Sequence, residues 1–240
     1  MKNLRIRKLD LNNKSDFNLY KKLKLSFLLE LKTSNPQHIE YINFIEKEAL
    51  NNIRATKIKN ILPFLKQNLT VYVLEKKDNN TLINDDYEPI SYISIITPIK
   101  SEQSTPAFNP QNTIAIENFY VKPEFRLNYE TFEFLKSVIN LATDGKNMSV
   151  IFNVLSSNPN KYFHFALADF IYDGYFIENP EGNSIDIYYL CCKDANKIIN
   201  LSLKTFIEKA VQLQQEKTLK DTDIPISLIE NLQNENLCQE

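Results

Sequence analysis

The sequence predicts a mixed α/β (α+β) domain of alternating strands and helices, followed by a helical C-terminal extension. Two periodicities and their punctuation predict it: short segments with period-two apolar alternation, longer segments with apolar residues every three to four positions, and Pro-, Asn- and Asp-rich turns between them. At 240 residues, 43% hydrophobic and 24% charged, the chain can build one large domain, or a domain with an appendage.

The elements follow in order. Leu4 to Leu11 alternates, with Leu4, Ile6 and Lys8 against Arg5, Arg7 and Leu9, as a first strand would. Ser15 is the expected N-cap of a helix through about Leu31, with Phe17, Tyr20, Leu23, Phe27 and Leu31 at helical spacing. Asn35-Pro36 breaks it. A second helical region is expected from about Gln37 to Leu65, ended or kinked by Pro63. Leu69 to Glu75 and Pro89 to Ile99 read as strands joined by the polar segment Lys76–Glu88.

After a polar loop at Ser101–Asn112, the stretch Ile114–Ile139 reads as a buried strand, a Pro-containing turn and an amphipathic helix that ends near Asp144-Gly145, with glycine as the cap. Ser149–Leu155 is a strand. Asn158-Pro159 should open a helix through about Phe170, with proline at its first position. Tyr172–Glu178 and Ile185–Cys192 are the last strands, separated by the turn at 179–183. The order is β-α-α-β-β-β-α-β-α-β-β. Beyond about Asp194, Ile199, Leu203, Phe206, Ala210 and Leu213 form a further amphipathic helix, with a short one at Ile226–Leu232. The expected division is a domain over 1–194 and an extension over 195–240, the latter packed on its own domain or serving as a homodimer contact.

Composition narrows the chemistry. Cys191 and Cys192 are adjacent in a strand and Cys238 stands apart, so no disulfide framework follows and a reducing cytoplasm is the simplest setting. Two histidines, His38 and His164, cannot assemble a His-rich site, so no catalytic metal is expected. No apolar run reaches membrane-span length, and no membrane partner is expected. Residues 1–77 hold 16 lysines and arginines against 7 acids, and the remainder 12 against 23. The lysines are scattered among helix-period apolar residues, the pattern of a solvated helix face. Nucleic-acid binding would rest on charge alone, without interleaved aromatics.

The turn after the third central strand carries the functional signal. A strand feeding a helix N-terminus presents free backbone amides to an anion. The residues are Val121-Lys122-Pro123-Glu124-Phe125-Arg126-Leu127-Asn128-Tyr129-Glu130-Thr131. They resemble the V-x-P-x-[YF]-[RQ]-x-x-G-x-[GA] motif of the GNAT superfamily of N-acetyltransferases, with Tyr129 and Thr131 at its two glycine positions. The element order above is the one that the family fold has, read independently of the motif.

The resemblance implies a mixed, mainly antiparallel central sheet flanked by helices. It implies acetyl-CoA as co-substrate, with no metal, and a small-molecule or peptide amine as acceptor. Arg126 and the amides of Leu127, Asn128, Tyr129, Glu130 and Thr131 would hold the pyrophosphate; Phe119, Tyr120 and Val121 would pair with pantetheine; and Glu117 would be the general base. The base is needed because only a neutral amine attacks a thioester, and a semi-buried cleft that raised its pKa would suit it. The Thr131 hydroxyl could donate to a phosphate. A Tyr129 side chain projecting outward preserves the cradle, and one pointing inward blocks it.

A second family signature places a tyrosine four residues before a Gly-Phe pair, to protonate the leaving thiolate. Gly174-Tyr175 matches loosely, and the residue four before is Phe170, which cannot donate a proton. Tyr162, Tyr172, Tyr175 or solvent could substitute. His164, between Phe163 and Phe165, is expected in or beside the core. Because the glycines and the tyrosine are replaced, a second reading stands beside the enzyme: a catalytically inactive binding or regulatory module on the same fold.

Overall fold

A computed structural model describes residues 3–34, 39, 42–43, 69–77, 87–96, 112–158, 160–177 and 184–218. The elements are β1 (Leu4–Lys8), α1 (Lys14–Ser34), β2 (Leu69–Lys77), β3 (Tyr87–Ile96), β4 (Thr113–Val121), a 3-10 turn (Pro123–Phe125), α2 (Tyr129–Thr143), β5 (Ser149–Leu155), α3 (Lys161–Phe165), β6 (Phe170–Ile177), β7 (Ser184–Cys192), α4 (Ala195–Ile199) and α5 (Leu203–Thr218). Of the expected second helix, only Ile39, Ile42 and Asn43 are described, all in helical conformation. Most of the segment 76–88, the loop 101–112, the turn 179–183, His38, Pro159, the helix at 226–232 and Cys238 lie outside the described residues.

Seven strands form one sheet in the order β1-β2-β3-β4-β5-β7-β6. Every pairing is antiparallel except β4 with β5. A parallel pair cannot be joined by a hairpin, and α2 supplies the crossover. This is the expected fold class, a mainly antiparallel mixed sheet flanked by helices.

Helices cover both faces of the central strands, so β2 and β3 are buried along most of their length instead of alternating between core and water. Val71 and Val73 pack with Tyr20 and Leu23 of α1, whereas Tyr72, Leu74, Ile93, Ile95 and Ile114 pack with Phe134, Leu135, Val138 and Ile139 of α2. Pro89 sits where the β2–β3 register shifts, a position at which a missing N–H costs the ladder least.

Three local expectations are corrected. The N-cap of α1 is Asn13, not Ser15: its side-chain oxygen accepts the Ser15 amide at 2.8 Å and its carbonyl the Phe17 amide at 2.9 Å. The residue that caps α2 is Asp144 (φ 51°, ψ 40°), whose N–H reaches the Asn140 carbonyl at 3.1 Å; Gly145 follows at φ 69°. The helix expected from Asn158 to Phe170 is only Lys161–Phe165. Asn158 accepts the Asn160 amide in a turn ahead of it, and the Asp169 amide bonds the Cys191 carbonyl at 2.9 Å, which draws Phe170 into β6. Sheet pairing wins over continued helix there.

The described residues that follow β7 pack back on the sheet and on α2. Ala195 and Ile198 belong to the principal core, and the Ala195 amide bonds the Met148 carbonyl at 2.9 Å. Phe206 of α5 stacks on Phe132 of α2 with centroids 4.8 Å apart, while Ala210 joins Ala166 in the same cluster.

Phe134 is 1% exposed and lies at the centre of the α2–sheet core. Phe134→Ala should lower unfolding free energy in urea titration by about 3–5 kcal/mol, the usual cost of emptying an aromatic site that cannot collapse.

Candidate active site

The site begins with a defect in the sheet. β4 pairs with β5 only at Thr113↔Ser149, Ile114↔Val150 and Ala115↔Ile151. Past Ala115, β5 continues against β7 as far as Leu155↔Ile187, and β4 continues against β3 as far as Val121↔Ser91. Among the described residues, 116–121 of β4 therefore have no strand on their β5 side. At the point of divergence Ser94 faces Asn118 and Ile95 faces Ile116, which leaves Glu117 as the extra residue of a β-bulge. The bulge turns the carboxylate out of the normal alternation.

Helix α1 lies over this split. Its first half packs on β2 and β3 through Tyr20 and Leu23, and its second half on Leu155 and Ile187 through Leu28 and Leu31. Phe27 meets Tyr120 edge to face at 6.3 Å. The same helix brings charge to Glu117: Lys24 Nζ donates to Oε1 at 2.8 Å, and Ser94 Oγ donates to Oε2 at 3.2 Å. The Lys24 side chain is 12% exposed and that of Glu117 33%, so the lysine is largely withdrawn from water while the carboxylate stays accessible to it.

Burial works to lower the Lys24 pKa, but the Glu117 carboxylate and Tyr20 outweigh it and the net shift is upward, so Lys24 is a cation at neutral pH. Burial, reinforced by the Glu117 charge and opposed by Lys24, pushes the Tyr20 phenol up to about 12. Burial also raises Tyr92, whose ring lies edge-on to Tyr20 at 6.3 Å and whose hydroxyl meets Asn118 Oδ1 at 3.4 Å. These phenols are neutral hydrogen-bonding groups around an ion pair.

The expected anion cradle follows β4. Lys122 enters the 3-10 turn, whose proline stands at its first positions, and Arg126 leaves it extended. Leu127 then takes φ 57°, the left-handed region, and reverses the chain into α2. Positive φ thus falls at Leu127, whereas Tyr129 and Thr131 are helical, so neither family glycine position needs glycine for its backbone. Tyr129 is 54% exposed. Asn128 caps the helix by accepting the Thr131 amide at 3.0 Å.

Thr131 corrects two expectations. Its amide is taken by Asn128, and its hydroxyl contacts the Phe125 and Asn128 carbonyls at 3.0 and 3.1 Å in a buried position, so it does not face an incoming phosphate. Among the described residues, the amides of Leu127, Asn128, Tyr129 and Glu130 meet no acceptor. Arg126 stands beside them, with Nε donating to the Val121 carbonyl at 3.1 Å and Nη2 to Glu30 Oε1. Of the expected pantetheine partners, the Tyr120 carbonyl accepts the Ser91 hydroxyl at 2.7 Å and that of Val121 accepts Arg126. Phe119, whose backbone pairs with Ile93, packs against the α2-side core.

Gly174 pairs with Ile187 within β6, so Gly174-Tyr175 is not at a helix end. The helix-to-strand junction is Asp169-Phe170, with Phe165 four residues before Asp169, again without a hydroxyl. His164 is half-buried and packs beside Phe152; burial lowers its pKa, and its Nδ1 lies 3.1 Å from the Asn160 carbonyl. Cys191 and Cys192 are buried free thiols whose pKa burial raises. An open depression of about 400 Å³ on α1, lined by Asn18, Lys21, Lys22, Leu25, Ser26 and Leu29, contains none of the site residues. Among the described residues no metal-binding cluster of His, Cys, Asp or Glu occurs, and no helix is long and apolar enough to cross a membrane.

Sequence reasoning missed Lys24 and Glu30, which reach the site from 93 and 96 residues away. Lys24 left one signal: it lies four residues after Tyr20 and three before Phe27, on the apolar side of a predicted helix.

No protein-family model matches the chain, and no curated protein does. Solved structures are similar in fold. A spermidine N-acetyltransferase from Vibrio cholerae, in complex with CoA and spermine, is 13% identical with a TM-score of 0.43, over 83% of this chain and 100% of its own. A dodecameric form of the Vibrio cholerae enzyme is 12% identical with a TM-score of 0.41, over 83% and 98%. A candidate GNAT-family acetyltransferase from Desulfovibrio desulfuricans is 11% identical with a TM-score of 0.43, over 79% and 98%. At such values the likeness says nothing of the reaction.

The cap of α2 shapes the cradle, because Asn128 fixes where the free amides begin. Asn128→Ala should reduce stability by about 1 kcal/mol, the usual worth of a side-chain N-cap, read as a lower midpoint in chemical denaturation.

Proposed function

We propose that this chain is an acetyl-CoA-dependent N-acyltransferase that moves an acetyl group from the CoA thioester directly to a substrate amine. The observation that carries the reading is the divergence of β4 from β5, with a bulged carboxylate at its start and a run of free amides after its end. An open strand edge pairs with an extended amide-bearing chain, and a capped helix start with a guanidinium beside it takes a diphosphate. The motif resemblance points to the same assignment.

In this reading the amides of 127–130 and Arg126 hold the pyrophosphate, and the β4 edge at Phe119, Tyr120 and Val121 aligns pantetheine along the split. Glu117 takes the proton from the acceptor ammonium, directly or through a water. The free amine then attacks the thioester carbonyl, the C–S bond breaks as the nitrogen gives up its second proton to solvent, and the thiolate is protonated by solvent or a nearby donor. Lys24 is a positioning residue: with Ser94 it orients the Glu117 carboxylate, and the incoming ammonium competes with it for Oε1. The buried thiols of Cys191 and Cys192 support a reducing, cytoplasmic setting.

A second reading, a binding module without turnover, is favoured by one observation. Both expected charged groups are already engaged, Glu117 by Lys24 and Ser94, and Arg126 by Glu30.

Isothermal titration with acetyl-CoA tests the binding half, and absence of binding at millimolar ligand would end the enzyme reading. Thiol release across a panel of small amines and peptides separates them. Turnover by the wild-type chain, lowered about 100-fold or more in Glu117→Gln at unchanged acetyl-CoA affinity, supports the enzyme. Binding without turnover on any acceptor supports the module.

A further inference from the structure

We infer that Glu30 sets the affinity and selectivity of the anion cradle, because its carboxylate occupies Arg126 where a ligand oxygen would otherwise sit. The identity of the ligand rests on the reading above. The competition between Glu30 and an anion rests on geometry alone.

Arg126 has its Nε on the Val121 carbonyl and its Nη2 on Glu30 Oε1. The partner comes from another element, the last turns of α1, and is seated by packing. Leu28, next but one to Glu30, is 1% exposed against Leu155 and Ile187, and Leu31 packs on the same cluster. Phe27, one turn earlier, holds Tyr120 edge-on. The ion pair is partly withdrawn from water, with side chains 34% and 30% exposed. Immediately after Arg126 comes the run of amides at 127–130 that meet no acceptor among the described residues.

An anion entering these amides meets a guanidinium already paired with a carboxylate. To use Arg126 it must displace Glu30 or accept like-charge repulsion from it. A singly charged anion exchanges one monovalent partner for another and gains little. A diphosphate spans the amides and the guanidinium together, with more charge and more acceptor oxygens, and wins the exchange. Glu30 thereby discriminates against small anions at some cost in affinity for the intended one. Glu124, exposed in the same turn and without a bond to Arg126, provides a control for general charge.

The experiment is isothermal titration of the full chain and of Glu30→Gln, Glu124→Gln and the double variant Glu30→Gln/Arg126→Gln with acetyl-CoA, inorganic pyrophosphate and inorganic phosphate. Thermal melts establish that each variant is folded, and Glu30→Ser replaces Glu30→Gln if the latter is not. Removing an exposed ion pair of this kind should tighten acetyl-CoA and pyrophosphate about three- to fivefold. Phosphate should gain more than pyrophosphate, the double variant should lose the gain, and Glu124→Gln should stay within about twofold of wild type. Unchanged or weaker binding in a folded Glu30 variant overturns the inference, because Glu30 then organises Arg126 for the ligand instead of competing with it. A gain for pyrophosphate with no acetyl-CoA binding in any variant upholds Glu30 and rejects the acyl-CoA reading. Acetyl-CoA binding without a gain does the reverse, and no binding of any of the three anions rejects both.

Discussion

The candidate site depends on two strands that stop pairing. β4 and β5 share a parallel ladder only from Thr113 to Ala115, because each has a better antiparallel partner further on, β3 for one and β7 for the other. The divergence leaves polar backbone without a strand partner in the middle of a sheet, a costly arrangement unless something else pairs with it. The bulge at Glu117 marks where β4 turns away, and its carboxylate meets Lys24 of α1 and Ser94 of β3. Past the opening, the left-handed Leu127 and the Asn128 cap convert the end of β4 into a helix start with unpaired amides.

The second determinant is α1, which spans both sides of the split. Its apolar stripe is fixed on β2 and β3 at one end and on β5 and β7 at the other. Its charged residues then reach both ends of the site, Lys24 to Glu117 and Glu30 to Arg126. Both contacts carry opposite charges, so the region is nearly neutral where a simple basic cradle would have been strongly positive. Neutral phenols from Tyr20 and Tyr92 line the Glu117 end, their ionisation suppressed by burial. The helix roofs the site and also competes for its charges.

Much of the fold was legible in the sequence, because apolar periodicity reports burial and most strands and helices here are buried on a definite face. Ser149–Leu155 was placed to the residue, and β4, α2 and β7 nearly so. What failed was decided by hydrogen bonds that spacing does not show, one distant in sequence and one local. The helix expected through Phe170 is cut short by pairing with Cys191, and Ser15 lost the N-cap to Asn13, two residues earlier. At the candidate site, the motif singled out Glu117, Arg126 and residues 127–131 as expectations, but not the side chains they contact. An ion pair between residues more than 90 positions apart leaves at most a charge on an apolar helix face, as at Lys24, and nothing that names its partner. Nor could spacing reveal that Leu127, rather than either family glycine position, carries the positive φ.

The stack of Phe206 on Phe132 bears on how the chain matures during synthesis. The first turn of the helix that follows the cradle is packed by a residue made much later, and β5 is paired on its far side only by β7. A nascent chain that has emerged as far as α2 has the motif residues in order but neither the sheet edge nor the aromatic contact that fixes them. Loop-closure entropy must be overcome before those distant contacts form, so the turn after β4 is among the last parts to become rigid. The packing of that turn is therefore coupled to completion of the chain through α5, and a product released short of that helix would carry the motif residues without their support.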